Sequence, residues 1–568
     1  MTIVPATPGD RFALLFAAGL ALAVALAWRH RWGHRIILAL AVLPAPIVAL
    51  FSTQFTLAGW HGFMHAAPIY QLMVRGTVPP EEPLFAGGAL RYPWIEHWLT
   101  AGLSSLTGTS AHAVSMAIGL AALVVFVGGV WWLAAALTDD RVTRALAALF
   151  AVYGVSVLHM SFLAEPLQRL FAGLWLETRV VAIDKFLNVS AAPLGLAAVA
   201  LSAAAGTHFV LRGGRRLPLV IAACTLAAAL VHPLSWTGVL VWQGVIGLVL
   251  LAARPLDKRP VAALAAAVIL PSIAALPYLR AVGASESSDG WTGLTPLTLL
   301  GAKAADVAFF AITLLAACAF VSAQLRERLR RRDRPTLIVL GAVAACIAAY
   351  LAVRFPGRNE YKYLLYVAPA AAFVVAMAVR ALLSRSVLLA AVLIVLLTIP
   401  GGRVLGSRPW FVVTDPVRTE GPWLRALDAS ADSLYQWVAT HTPTDAVFIA
   451  DDLRIPPLGR RSLYIAADAA WRGRDGWGLP RHLLLQWHVR RPDDEMRRRQ
   501  RYAGIVLGGG WPIPAPAAMT LIASDVRGRP LFIHATQGAT IDKLARTAGF
   551  ERTFAGGTGA IFAWRGAP

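Results

Sequence analysis

The sequence predicts an all-α polytopic transmembrane bundle of about twelve spans, carrying a C-terminal extracytoplasmic α/β domain. Three observations lead there. Of the 568 residues, 57% are hydrophobic and only 15% charged, which excludes an ordinary soluble protein. Apolar stretches near bilayer length recur from residue 11 to residue 401. Between them, every second loop is basic, the pattern of cytoplasmic connections.

The spans read as 11–28, 36–53, 113–137, 144–162, 191–211, 217–233, 235–253, 261–280, 303–323, 336–353, 362–381 and 386–402. None resembles a cleavable signal peptide. Basic loops fall at Arg29–Arg35, Thr138–Arg144, Arg212–Arg216, Arg254–Arg259, Arg326–Arg334 and Arg380–Arg385. Placing these inside puts the N-terminus, the loop 53–112, a second loop 163–190 and everything after 402 outside. The net charge of +21 is therefore an orienting device, and no nucleic-acid partner is expected. Cys224, Cys318 and Cys346 all lie in apolar stretches, so the outer parts need no disulfides. Residues 1–35 form an extra helix with a basic loop, 36–402 the main membrane domain, and 403–568 the outer domain.

His232-Pro233 interrupts one long apolar stretch and reads as a tight outer turn or a broken helix. After Gly402 the apolar runs shorten, and charges, Pro and Gly become frequent. Leu434–His441 and Ala539–Gly549 read as helices. Ala446–Ala450, Ser462–Ala466, Ala503–Leu507 and Pro530–Ala535 read as buried strands, and Glu551–Arg565 as a hairpin. The run Arg497-Arg498-Arg499 with Arg501 reads as a solvated helix face.

Three clusters hold the residues able to do chemistry. In the first loop, Trp60, His61 and His65 precede Glu81, Glu82, Arg91, Tyr92, Trp94, Glu96 and His97; a loop of that length tends to be functional. His61 and His65 share one helix face and suit a base, a substrate hydrogen bond, a metal ligand or plain packing, the metal lacking a third ligand. The second loop holds Glu177, Arg179, Asp184 and Lys185, either structural ion pairs or the lining of a polar cavity. The third holds Arg354, Arg358, Asn359, Glu360, Tyr361 and Lys362, whose Arg and Lys suit a phosphate clamp or interfacial anchoring.

The order of parts resembles the GT-C superfamily of polytopic glycosyltransferases, which use polyprenyl-phosphate-linked sugars on the non-cytoplasmic face. The likeness runs through "RGTVPPEEPLFAGGALRYPWIEHW" (Arg75 to Trp98) and "RNEYKYL" (Arg358 to Leu364) and covers about 36–402. It implies transfer of a sugar to an envelope glycan, lipid or protein acceptor at a bacterial plasma membrane, with no cofactor or with a divalent ion such as Mg or Mn. Candidate catalytic residues are then His61, His65, Glu96, Glu177 and Asp184. Candidate substrate contacts are Trp60, Glu82, Arg91, Tyr92, His97, Lys185, His232, Arg358, Glu360 and Lys362. In the superfamily an Asp or Glu near the start of the first outer loop is base or metal ligand. Here Trp60-His61 stands in that place, so either His61 replaces the acid or Glu82, Glu96, Glu177 or Asp184 supplies it. The rival readings are a lipid-linked-substrate flippase or transporter, and a non-catalytic envelope assembly protein.

Overall fold

A computed structural model describes residues 8–51, 54–90, 92–155, 181–252, 258–283, 293–414, 429–450, 452, 454–465, 493–508, 514–556 and 559–566. The chain divides into two compact units. The first comprises 1–53, 116–279 and 292–414; the second comprises 54–115, 280–291 and 415–568.

The first unit is helical. Across the described residues, eight helices are long and apolar enough to cross a bilayer, or nine if the bent segment Leu297–Phe320 is one span. The protein is thus a multi-pass membrane protein. The other expected crossings fall on shorter helices: Arg11–Ala27, Arg216–Val231 and Arg141–Tyr153. The last stops at Gly154, beyond which 156–180 lie outside the described residues.

Lipid offers no hydrophobic drive between helices, so small residues and polar glue hold them together. The helix Ala192–Arg212 is buried on almost all sides. Against it, Gln243 on the helix Pro233–Leu251 donates its amide to Ser202 O and Oγ, 2.9 and 2.8 Å away. Asp140 caps Arg141–Tyr153 through the N–H groups of Val142 and Thr143 and also accepts from Arg380 Nε at 2.9 Å, tying two basic loops together.

The interruption at His232 is a tight turn. His232 alone separates Arg216–Val231 from Pro233–Leu251, and Pro233 takes the first helical position, where its missing N–H costs nothing. The two helices pack against each other and against Ala192–Arg212. A short antiparallel pair, β1 (Gly293–Leu294) with β2 (Val353–Arg354), stands beside the turn Pro356–Tyr361.

The second unit is built on a five-stranded mixed sheet of β3 (Val447–Ala450), β4 (Ser462–Leu463), β5 (Leu531–Ala535), β6 (Phe550–Gly556) and β7 (Gly559–Trp564), in the order β4-β3-β5-β7-β6. β3 runs parallel to β4 and β5; β7 runs antiparallel to β5 and β6. The strand expected at Ala503–Leu507 is instead the end of a helix, Asp493–Val506. Met496, Arg499, Ala503 and Val506 fall on one buried face, so a helical stripe continues through the short apolar run that suggested a strand. Arg499 also departs from the solvated face expected of the arginine run. It is buried, stacks on Phe85 at 3.9 Å, and donates to Ala86 O and Tyr464 O.

Those contacts show where the first loop goes. Its helices Gln54–Arg75 and Ile95–Thr107 pack together, and the segment between them runs along the outer edge of β4. Leu463 N donates to Pro83 O, and Ala86 N donates to Leu463 O, both at 2.8 Å. Leu84 and Leu90 enter the hydrophobic cluster on one face of the sheet, Phe85 and Ala86 the cluster on the other. An otherwise open sheet edge is thereby covered.

Candidate functional site

Two polar clusters emerge, one in each unit. In the first unit the turn at His232 presents its imidazole between two partners. Nδ1 lies 2.8 Å from Ser235 Oγ, and Nε2 lies 3.1 Å from Lys362 Nζ. Ser235 Oγ continues the chain to Tyr366 OH at 3.1 Å, and Tyr366 is fixed from behind by Trp242 Nε1, which donates to its carbonyl. Lys185 donates to Asp184 Oδ2 at 2.8 Å, with its ammonium 5.3 Å from the ring of Tyr361.

Burial, and then the like charge of Lys185, push Lys362 down to about 7. Burial, then Lys362 and Lys185, hold His232 well below its ordinary value, so the imidazole is neutral. Burial works against the charge of Lys185 as well, but Asp184 and Tyr361 outweigh it and its ammonium is retained.

The neutral imidazole can complete this chain in two ways. With Lys362 charged, Nζ–H donates to Nε2 and Nδ1–H donates to Ser235 Oγ. With Lys362 neutral, Nε2–H donates to Nζ, and Nδ1 accepts from the Ser235 backbone N–H 3.2 Å away. Two lysines beside a neutral imidazole can serve as a receptor for an anion.

Glu360 stands apart from this receptor. It is buried, pairs with Lys303 at 3.0 Å and accepts from Phe355 N. Lys303 also donates to Thr295 Oγ1, Tyr350 O and Val353 O, so this pair locks β1 and β2 to the turn after them. Sequence reasoning did not single out Lys303; a lysine within an apolar stretch was the available signal. Ser235 and Tyr366 carried no such signal.

The second unit brings together four expected residues of the first loop. His65 Nδ1 and His97 Nε2 are 2.8 Å apart, Tyr92 packs edge-on to His65 at 5.6 Å, and Glu96 Oε2 lies 3.8 Å from His97 Nε2. Thr100 Oγ1 donates to Glu96 Oε1 at 2.9 Å. Burial raises the Glu96 carboxyl to about 7, Thr100 acting in the opposite sense. Such a group suits proton transfer near neutral pH.

Tyr92 and Trp94 each rest one side on the domain's hydrophobic cluster. Glu82 is buried in the segment that covers β4, while its neighbour Glu81 binds Arg75 and, at 2.7 Å, Arg529. No three His, Cys, Asp or Glu side chains among the described residues are arranged to hold a metal ion. Trp60 and His61 lie on the helix Gln54–Arg75, and Arg358 lies in the turn Pro356–Tyr361, with side chains outside the described set. Arg91 and Glu177 also lie outside the described residues.

No protein-family model matches the sequence, and no curated protein matches it. Solved structures do. ArnT from Cupriavidus metallidurans bound to undecaprenyl phosphate aligns with TM-score 0.50 and 13% identity over 93% of this chain and 97% of that one. The arabinofuranosyltransferase AftD from Mycobacteria aligns with TM-score 0.52 and 16% identity over 93% of this chain and 40% of that one. At such identities the likeness concerns architecture, and the site must be argued on its own. The chain has the fold of these two solved structures.

Proposed function

We propose that this protein is a membrane glycosyltransferase that takes a sugar from a polyprenyl-phosphate donor and passes it to an envelope glycan, lipid or protein on the extracytoplasmic face of a bacterial plasma membrane. The observation that carries this reading is the pair of ammonium groups, Lys185 and Lys362, gathered with neutral His232 at the ends of membrane helices. The same fold in ArnT, solved with undecaprenyl phosphate bound, supports a lipid phosphate as the anion.

In the reaction the acceptor oxygen bonds to the anomeric carbon while the bond from that carbon to the phosphate oxygen breaks. Its electron pair stays on the phosphate, where the two ammonium groups stabilise the growing charge. The acceptor proton goes to a base. About twelve crossings and the basic inner loops would put both termini outside.

The test is transfer or hydrolysis in lipid nanodiscs with a panel of polyprenyl-phosphate sugars, comparing wild type with Lys185→Met and Lys362→Met. A loss of about 10²–10³ in kcat/KM for each variant supports the reading. Saturable binding without turnover of any donor would favour a flippase. Absence of both would favour an assembly protein.

A further inference from the structure

A second feature lies at the other end of the helix that leads to His232, about 24 Å away along the 16 residues Arg216–Val231. There a groove of about 900 Å³ opens between Ala192–Arg212, Arg216–Val231 and Lys258–Gly283. That is within the size of small-molecule sites, ~300–1,000 Å³. Its wall is aliphatic, with Leu219, Ala223, Leu226, Ala266 and Leu270 among the lining residues, and among the described residues Arg215 and Arg259 are its only charged ones.

We propose that this groove seats one anionic phospholipid, tails along the aliphatic wall and phosphate between Arg215 and Arg259. Three features select that occupant over a neutral lipid or another helix. Both arginines are exposed and sit with Arg212, Arg216 and Lys258 at one end. The helices Arg216–Val231 and Lys258–Gly283 both begin at this end, and helix N-termini favour an anion. The basic-loop pattern assigns this end to the cytoplasmic leaflet, where anionic lipids attract such clusters. The inference does not depend on the proposed reaction, because it concerns a lipid retained at the opposite end of the helix.

The test uses the full chain in a neutral detergent, with native mass spectrometry against phosphatidylglycerol and phosphatidylcholine bearing identical acyl chains. Wild type is expected to retain phosphatidylglycerol about tenfold better. That preference should vanish in Arg215→Gln/Arg259→Gln and survive in part in Arg215→Lys/Arg259→Lys, while Ala223→Phe/Ala266→Phe should lose both lipids. Equal retention of the two lipids by wild type overturns the proposal even if no variant folds. So does an undiminished preference in the glutamine variant, unchanged retention in the filled variant, or a lipid-free dimer, which would make a second copy the occupant.

Discussion

Glu96 is a residue whose chemistry and stability pull against each other. Its folded carboxyl titrates near 7 against 4.5 for an ordinary one, so between those values the folded chain holds a proton the unfolded chain releases. Stability therefore falls as pH rises through that window, by up to ~3 kcal/mol, and the whole penalty is present above it. Glu96→Gln removes the charge and keeps a partner for Thr100. Melting curves are expected to show the variant more stable than wild type at pH 8 and equal to it at pH 4. Equal melting at pH 8 would mean that the carboxylate is solvated where it sits. Lys362 has the opposite dependence: its charge is lost as pH rises through about 7. Polyprenyl-phosphate binding should weaken from pH 6 to pH 8, and Lys362→Met should flatten that slope in a lipid-binding titration. Lys185, His232 and Lys362 were legible in the sequence because ionisable side chains amid apolar runs are costly unless used. The Glu360 pairing was not, since its partner Lys303 is distant in the chain and looks like the first residue of a span.

The elements around the receptor meet at small residues. A Cβ on Gly238 would stand 2.6 Å from the ring of Tyr366, the residue that ends the His232–Ser235 hydrogen-bond chain. On the same helix, Gly244 has nothing within 4 Å of that position. Gly238→Ala is therefore expected to cost ~1–3 kcal/mol and to weaken lipid-phosphate binding with it, while Gly244→Ala leaves both near wild type. Thermal melting with and without polyprenyl phosphate separates the two effects. Element type was readable wherever periodicity ran long. It failed at Ala503–Leu507, where five apolar residues alone cannot distinguish a strand from the last turn of a helix. The first loop is a different case. Gln71 binds Ser462 across 391 residues of sequence, and nothing local announces that Leu84 and Phe85 complete a sheet built at the far end of the chain. Phe85→Ala should accordingly destabilise the second unit by ~3–5 kcal/mol, seen as early protease cleavage within residues 429–566.

At the scale of the whole molecule, the distribution of charge makes a claim about orientation that single-residue labelling can decide. The net charge of +21 is concentrated in loops such as Arg326–Arg334, while the second unit carries its sheet and both ordered helices of the first loop. If positive loops stay inside, Arg331 faces the cytoplasm and Glu551, in β6, faces out. Both side chains are well exposed, at 75% and 58%, so either position would accept a thiol reagent. The three native cysteines sit in membrane helices and can be replaced by alanine to give a silent background. On it, Glu551→Cys is expected to react with a membrane-impermeant maleimide in spheroplasts, and Arg331→Cys only after permeabilisation. Labelling of both from outside would require an even number of crossings between residues 331 and 551 in place of the three expected, 336–353, 362–381 and 386–402. Reaction of Arg331→Cys alone would invert the protein, place the sheet domain in the cytoplasm, and remove the extracytoplasmic acceptor from the proposed reaction while leaving the lysine receptor as the feature to explain.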